Sequence, residues 1–109
     1  MNLTIDVTNK ERVSIVSLAG EIDAFTAPKL KETLLPLTKE DGKTIEVDLQ
    51  EVNYMDSTGL GVFISALKST KENDTELKLV HMQERVYRLF KITGLTEIIN
   101  IDSTVRGGM

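Results

Sequence analysis

Hydrophobic and polar positions follow two different periods along this chain. Alternation with period two, or a short apolar run, predicts a strand, whereas an apolar residue every third or fourth position predicts a helix. By these patterns the strands are 3–8, 13–20, 44–49 and 77–80. The helices begin near Thr26, Thr58 and Val86, the second one extending to about Thr70. The apolar run at 98–101 is compatible with a strand or a helix.

Glycine, proline and capping residues set the expected boundaries. The second strand is expected to end at Gly20, and Glu21–Phe25 is expected to be a loop. Thr26 is a favourable helix N-cap. Pro36 lacks an N–H and its ring crowds the preceding turn, so the first helix either ends near Leu35 or kinks there. We favour a kinked or ragged end before Asp41 and Gly42.

The order of these elements predicts the fold class. Two strands in a hairpin are followed by strand–helix–strand units, whose right-handed crossovers make neighbouring strands parallel. We therefore expect one α/β domain over residues 1–109, with three or more helices and a flexible tail at 104–109. Its small, mostly parallel sheet would have four or five strands and an antiparallel edge hairpin. The loops 21–25, 53–57 and 81–83 would meet at the carboxyl edge of that sheet.

Composition excludes several kinds of function. The chain has no cysteine and one histidine, His81, so neither a thiolate metal site nor a disulfide is available. The net charge of −4 argues against nucleic acid as a direct partner. No apolar run approaches the roughly 18 residues of a membrane span, and Asp6 interrupts any signal-peptide core. We expect a cytoplasmic protein without metal or cofactor.

The most informative stretch is 53–61, where the third strand leads into the second helix. Asp56, Ser57 and Thr58 are three consecutive residues that could cap this helix, although capping needs only one side chain. Gly59 and Gly61 follow in its first turns, where each costs about 0.5–1 kcal/mol relative to alanine. These glycines indicate either close approach by another backbone or a bulky group, or tight packing of the helix on its own sheet.

This stretch lacks residues that the known catalytic and nucleotide-binding motifs require. A nucleophilic Ser57 needs an adjacent base, and His81 is the only imidazole. A phosphate-binding loop needs lysine after its last glycine, where Val62 stands. The dinucleotide motif needs a third glycine, where Ile64 stands. We therefore predict no catalytic residue.

Four blocks carry a resemblance to a known family. They are Leu18–Asp23 with Pro28, Val47–Leu49, Tyr54–Phe63 with the core Asp-Ser-Thr-Gly, and Arg88–Leu95. In this order and over the whole chain, they resemble the STAS domain of bacterial anti-sigma factor antagonists (anti-anti-sigma factors), most closely the general-stress type.

The resemblance implies a partner-switching role. The unphosphorylated protein would bind an anti-sigma factor that is also a serine kinase, so that the sigma factor is released. Phosphorylation of Ser57 with ATP would end the binding, and a PP2C-type phosphatase would restore it. The alternatives are a scaffold or regulatory STAS module and a small-ligand-binding STAS protein.

The expected contact residues surround the phosphate acceptor. The candidates are Asp23, Asp56, Ser57, Thr58 and Gly59. Thr58 is the rival acceptor, although the family match and its expected place inside the first turn favour Ser57. Phe25 and Met55 would be apolar anchors if exposed, but we expect both in the core.

Overall fold

A five-stranded sheet carries three helices on one of its faces. Residues 2–102 are described in the computed structural model. The strands are β1 (Leu3–Asn9), β2 (Val13–Ile22), β3 (Thr44–Met55), β4 (Glu76–Val80) and β5 (Asn100–Ile101). The helices are α1 (Ala27–Leu37), α2 (Ser57–Asn73) and α3 (Glu84–Ile92), followed by a 3-10 turn at Leu95–Glu97.

The strand order confirms the predicted mixed sheet. The strands lie in the order β1-β2-β3-β4-β5, with β1 antiparallel to β2 and the other pairs parallel. Because successive crossovers move in one direction and are right-handed, the helices all pack on the same face. The rings of Phe63 in α2 and Phe90 in α3 meet edge to face with centroids 5.9 Å apart.

The core lies between that face of the sheet and the helices. Val16, Val47 and Leu79 occupy one register across three strands and are fully buried. Their neighbours Ile15 and Glu46, which point to the opposite face, are only partly buried. Alternate burial of this kind is what the period-two pattern predicts for a sheet covered on one side.

The predicted ends of β2 and β3 are wrong, because both strands are longer than expected. Gly20 does not end β2; it adopts φ 122° at a bulge, and the strand continues to pair with β3 as far as Ile22. A Cβ at Gly20 would lie 2.1 Å from the carbonyl oxygen of Asn2, so the glycine permits close approach of the neighbouring strand. Strand β3 likewise runs to Met55.

Helix α1 continues through Pro36 to Leu37 and is followed by turns over 38–42, so the favoured ragged end before Asp41 is confirmed and the alternative end near Leu35 is wrong. Only one residue of the helix follows the proline, and the N–H of Thr38 still donates to the carbonyls of Leu34 and Leu35. Helix α2 also begins earlier and ends later than expected. The ambiguous run at 98–101 follows the 3-10 turn and ends in the short strand β5. The predicted tail at 104–109 lies outside the described residues.

Candidate functional site

The site forms where β2 and β3 end side by side. Ile22 pairs with Met55, and the backbone N–H of Asp56 donates to the carbonyl of Ile22 at 3.2 Å. Each strand then leads into a helix, so the turn before α1 and the first turn of α2 are neighbours. The predicted meeting of loops 21–25 and 53–57 is therefore confirmed.

The third predicted loop does not reach this edge. Strand β4 ends at Val80, which pairs with Asp48, whereas β3 continues for seven more residues to Met55. His81 lies next to Asp48, with its Nδ1 3.2 Å from a carboxylate oxygen of that residue. At about 3.3 Å per strand residue, this places His81 roughly 20 Å from the end of β3. His81 is therefore out of reach of Ser57 as a base.

Asp56 is the residue that caps α2. Its extended backbone precedes the helix, and one carboxylate oxygen accepts from the N–H groups of Thr58 and Gly59 at 2.9 and 3.2 Å. Two of the N–H groups that lack partners at a helix start are thereby satisfied. Of the three consecutive candidates, one side chain provides the cap and two hydroxyls remain.

Ser57 and Thr58 occupy the first two positions of α2, and both are exposed. Within residues 2–102, neither hydroxyl forms a hydrogen bond. Thr58 lies in the first turn as expected, and it faces the groove between α1 and α2. Exposure therefore does not distinguish the two hydroxyls.

The two glycines of the first turns have different surroundings. Gly59 is buried, and a Cβ there would lie 2.7 Å from Ile22 Cγ2 and 2.8 Å from Met55 Cγ. Packing of the helix on its own sheet therefore explains this glycine. Gly61 is exposed, and nothing lies within 4 Å of the position that its Cβ would take. Packing within residues 2–102 therefore gives no reason for the second glycine.

Asp23 organises the turn before α1. It is 6% exposed, and its Oδ1 accepts from the N–H groups of Phe25 and Thr26 at 2.9 and 3.0 Å. Thr26 is the N-cap by position, but its hydroxyl donates back to the carbonyl of Glu21 at 2.9 Å and makes no capping bond. An aspartate thus supports the beginning of each helix at this edge.

Two exposed aromatic rings flank the site. Phe25 is 80% exposed and Tyr54 is 45% exposed. The expectation that Phe25 lies in the core is wrong, because the Asp23 turn directs its side chain outward; Met55, at 7% exposed, is buried as expected. The rings line a depression of about 320 Å³ together with the acidic residues Glu21, Asp23 and Asp56.

Tyr54 was not among the predicted site residues. Met55 is buried in phase with Ile45, Val47 and Leu49, so strand alternation directs its neighbour Tyr54 away from the core. That alternation is the signal that could have indicated an exposed ring. It is visible only once the strand is known to continue beyond residue 49.

The exposed hydroxyls of Ser57 and Thr58 are accessible at the start of α2. A phosphate on Ser57 would lie at the partially positive start of a helix, next to the Asp56 carboxylate. Among residues 2–102, no group of three or more histidine and acidic side chains is placed to hold a metal ion. Every helix in the same range falls short of the length and apolar character needed to cross a membrane.

Comparisons with known proteins agree with this geometry. Residues 4–108 match the STAS domain family. The chain is 47% identical to the anti-sigma-B factor antagonist of Bacillus subtilis, over 100% of this chain and 99% of that protein. It is also 47% identical to the anti-sigma-B factor antagonist of Listeria monocytogenes, over 100% of this chain and 96% of that protein.

Solved structures show the same fold. The crystal structure of an anti-sigma factor antagonist from Mycobacterium paratuberculosis superposes with a TM-score of 0.83 at 25% identity, over 94% of this chain and 87% of that one. Sequence similarity and fold similarity thus extend over essentially the whole chain. The chain belongs to the STAS domain family, among the anti-sigma factor antagonists.

Proposed function

We propose that this protein is an anti-anti-sigma factor controlled by phosphorylation at Ser57. Unphosphorylated, it binds an anti-sigma factor that is also a serine kinase, and the sigma factor is released. The kinase phosphorylates Ser57 with ATP and thereby ends the binding. A PP2C-type phosphatase removes the phosphate. The protein acts in the cytoplasm as a binder and substrate, without catalysis of its own.

One observation carries this proposal: the hydroxyl of Ser57 is exposed and forms no hydrogen bond within the described residues. The neighbouring Asp56 makes both capping hydrogen bonds. A kinase can therefore reach the Ser57 oxygen without opening the fold. The 47% identity to named anti-sigma-B factor antagonists supports the choice of partner.

The energetics favour an effect on binding over an effect on folding. A phosphate adds about −1.5 to −2 charges, and at a helix start this is worth about 0.3–1 kcal/mol. Repulsion by Asp56 opposes that gain. Burying the same charge at an interface without a matching cation costs several kcal/mol, and each 1.4 kcal/mol is about tenfold in affinity.

The proposed contact face comprises the residues around Ser57. Ser57 and Thr58 touch the partner directly, and the exposed ring of Phe25 provides an apolar anchor. Asp23 and Asp56 hold the two helix starts in place. Gly59 contributes by letting the first turn of α2 lie close to Ile22.

Phosphate transfer tests the acceptor. The protein is incubated with ATP and the purified anti-sigma factor kinase of the same organism, and its intact mass and fragments are measured. We expect one phosphate, on Ser57, and none on Ser57→Ala. The matched variant Thr58→Ala should still accept one phosphate, on Ser57. Unchanged mass, or phosphate on Thr58, contradicts the proposal.

Affinity for the same kinase tests the switch. Ser57→Ala should bind like the unphosphorylated wild type and stay bound in the presence of ATP. Ser57→Asp should bind about 100-fold more weakly, since its charge is desolvated at the interface. Isothermal titration calorimetry measures both. A Ser57→Asp protein that binds as tightly as wild type refutes the electrostatic account.

A further inference from the structure

A long groove runs between α1 and α2 and begins beside the proposed phosphate acceptor. Its first part is a depression of about 490 Å³ that includes Pro28 and Lys31 from α1 and Thr58 and Gly61 from α2. A second depression of about 300 Å³ continues toward the helix ends and shares Lys31 and Ser65 with the first. From Pro28 to Lys39 the groove extends roughly 15 Å at 1.5 Å per helical residue.

The shape of this groove suits another helix. Its walls are two neighbouring helices that follow parallel strands, so a third helix can pack its side-chain ridge between them. Gly61 lies in the wall, exposed and with free space where a Cβ would be. A glycine there weakens an isolated helix by about 0.5–1 kcal/mol relative to alanine. Packing within residues 2–102 does not explain why position 61 is a glycine. Close approach of a partner backbone would explain it.

The charge of the groove is opposite to that of the whole protein. Lys31, Lys39 and Lys68 are exposed along it, against one acid, Glu72. None of the three lysines forms an ion pair with a described carboxylate, whereas Lys43 pairs with Glu40 at 3.3 Å. The chain as a whole carries −4. A concentration of free cations on an acidic protein indicates an acidic partner surface.

We propose that the α1–α2 groove docks a helix of the anti-sigma factor whose apolar stripe is flanked by carboxylates. This inference rests on the function proposed above and extends its contact face from Ser57 along the groove. It also explains how phosphorylation acts at a distance. A phosphate on Ser57, adjacent to Thr58 at the groove mouth, repels the acidic helix and weakens the attraction of the nearby lysines.

Charge reversal with a matched control tests the electrostatic part. Lys31→Glu with Lys68→Glu changes two groove lysines, and Lys29→Glu with Lys71→Glu changes two exposed lysines of the same helices outside it. Affinity for the purified anti-sigma factor of the same organism is measured by calorimetry at several salt concentrations. We expect the groove pair to bind at least about tenfold more weakly than the control pair. Equal losses in both pairs overturn the proposal.

Gly61→Gln tests the shape of the groove without changing charge. The side chain has space in the free protein, so we expect unfolding in urea at or above the wild-type midpoint. Binding should weaken about tenfold or more because the partner backbone is held away. Wild-type affinity in this variant contradicts close docking at Gly61.

Binding by the wild-type protein distinguishes a failure of the proposed function from a failure of the groove proposal. If wild type does not bind the anti-sigma factor at all, the proposed function is wrong and the groove proposal falls with it. If wild type binds, and the groove variants fold and bind as wild type does, only the groove proposal is wrong.

Discussion

Gly59 and Gly61 lie in the same helix, but alanine is expected to have opposite effects on stability at the two positions. Gly59→Ala places a methyl 2.7 Å from Ile22 Cγ2 and should destabilise the fold by about 1–3 kcal/mol. Gly61→Ala meets nothing within 4 Å and should stabilise it by about 0.5–1 kcal/mol. Urea unfolding of the two single variants measures the difference. Equal shifts would contradict the assignment of Gly59 to internal packing.

Asp56 is expected to contribute stability through its cap. Asp56→Ala loses the hydrogen bonds from Thr58 and Gly59 and should lower the free energy of unfolding by about 0.5–2 kcal/mol. Asp56→Asn keeps a capping oxygen and should stay within a few tenths of a kcal/mol of wild type. Asp6→Ala, on the exposed strand β1, is the control for loss of one carboxylate. An Asp56→Ala protein as stable as wild type would show that the cap is dispensable.

At the residue scale, the sequence predicted the junction between β3 and α2 but not the division of roles within it. Three consecutive capping residues are equivalent by propensity, so only the backbone path decides that Asp56 is the cap. The two glycines are also equivalent in sequence. What lies opposite each depends on β2, more than thirty residues earlier, because Ile22 fills the space beside Gly59.

At the scale of elements, α1 and α2 are joined near their carboxyl ends by buried hydroxyls. Thr38 Oγ1 donates to the carbonyl of Leu35, so Ser69 donates to Thr38 Oγ1 across 2.6 Å. The N–H of Gly42 and the hydroxyl of Thr75 add further bonds between these ends, to the carbonyls of Asp74 and Thr38. The walls of the α1–α2 groove are therefore held at a defined spacing.

A double-mutant cycle tests this link between the helices. Thr38→Val and Ser69→Ala should each destabilise the fold, and their effects should couple by about 0.5–1.5 kcal/mol because they share one hydrogen bond. Thr33→Val is the control partner, since its hydroxyl bonds only within α1, to the carbonyl of Lys29. Urea unfolding of the four proteins in each cycle gives the coupling. Strict additivity between Thr38 and Ser69 would contradict the link.

Element type and order were predictable because each period is strong and each turn is polar. The ends of β2 and β3 were not, since propensity assigns a stop to Gly20 while pairing with β3 carries the strand past it. For α1, a ragged end before Asp41 was favoured over an end near Leu35, as the structure has it. Pro36 removes a single donor so near the end of the helix that the last turn still forms.

At the scale of the molecule, the free energy of unfolding should be nearly independent of charge at position 57. Ser57→Asp adds a carboxylate at a helix start, worth about 0.3–1 kcal/mol, and the Asp56 carboxylate opposes it. We expect its urea midpoint to match that of Ser57→Ala within about 1 kcal/mol of unfolding free energy. Circular dichroism of both variants should match wild type. A Ser57→Asp protein that unfolds substantially more easily would mean that the switch acts through the fold.

The overall arrangement of strands and helices was more predictable than the element ends or the residue roles. A hairpin followed by strand–helix–strand units leaves few arrangements, and the observed order β1-β2-β3-β4-β5 is the simplest of them. The exposed Phe25 and Tyr54 rings, together with the groove, were beyond prediction because surface shape depends on how two helices and two strand ends meet.

Asp56 caps the helix, and Ser57 is the proposed phosphate acceptor. This division of roles has a consequence for how such regulators diversify. Because Asp56 makes both side-chain capping bonds at the start of α2, the next position is free to vary without loss of the cap. Under the proposed function, a descendant could abandon covalent control with a single codon change and remain a constitutive binder, or recover it by the reverse change. The proposal thus makes control and foldability independent traits, encoded one residue apart.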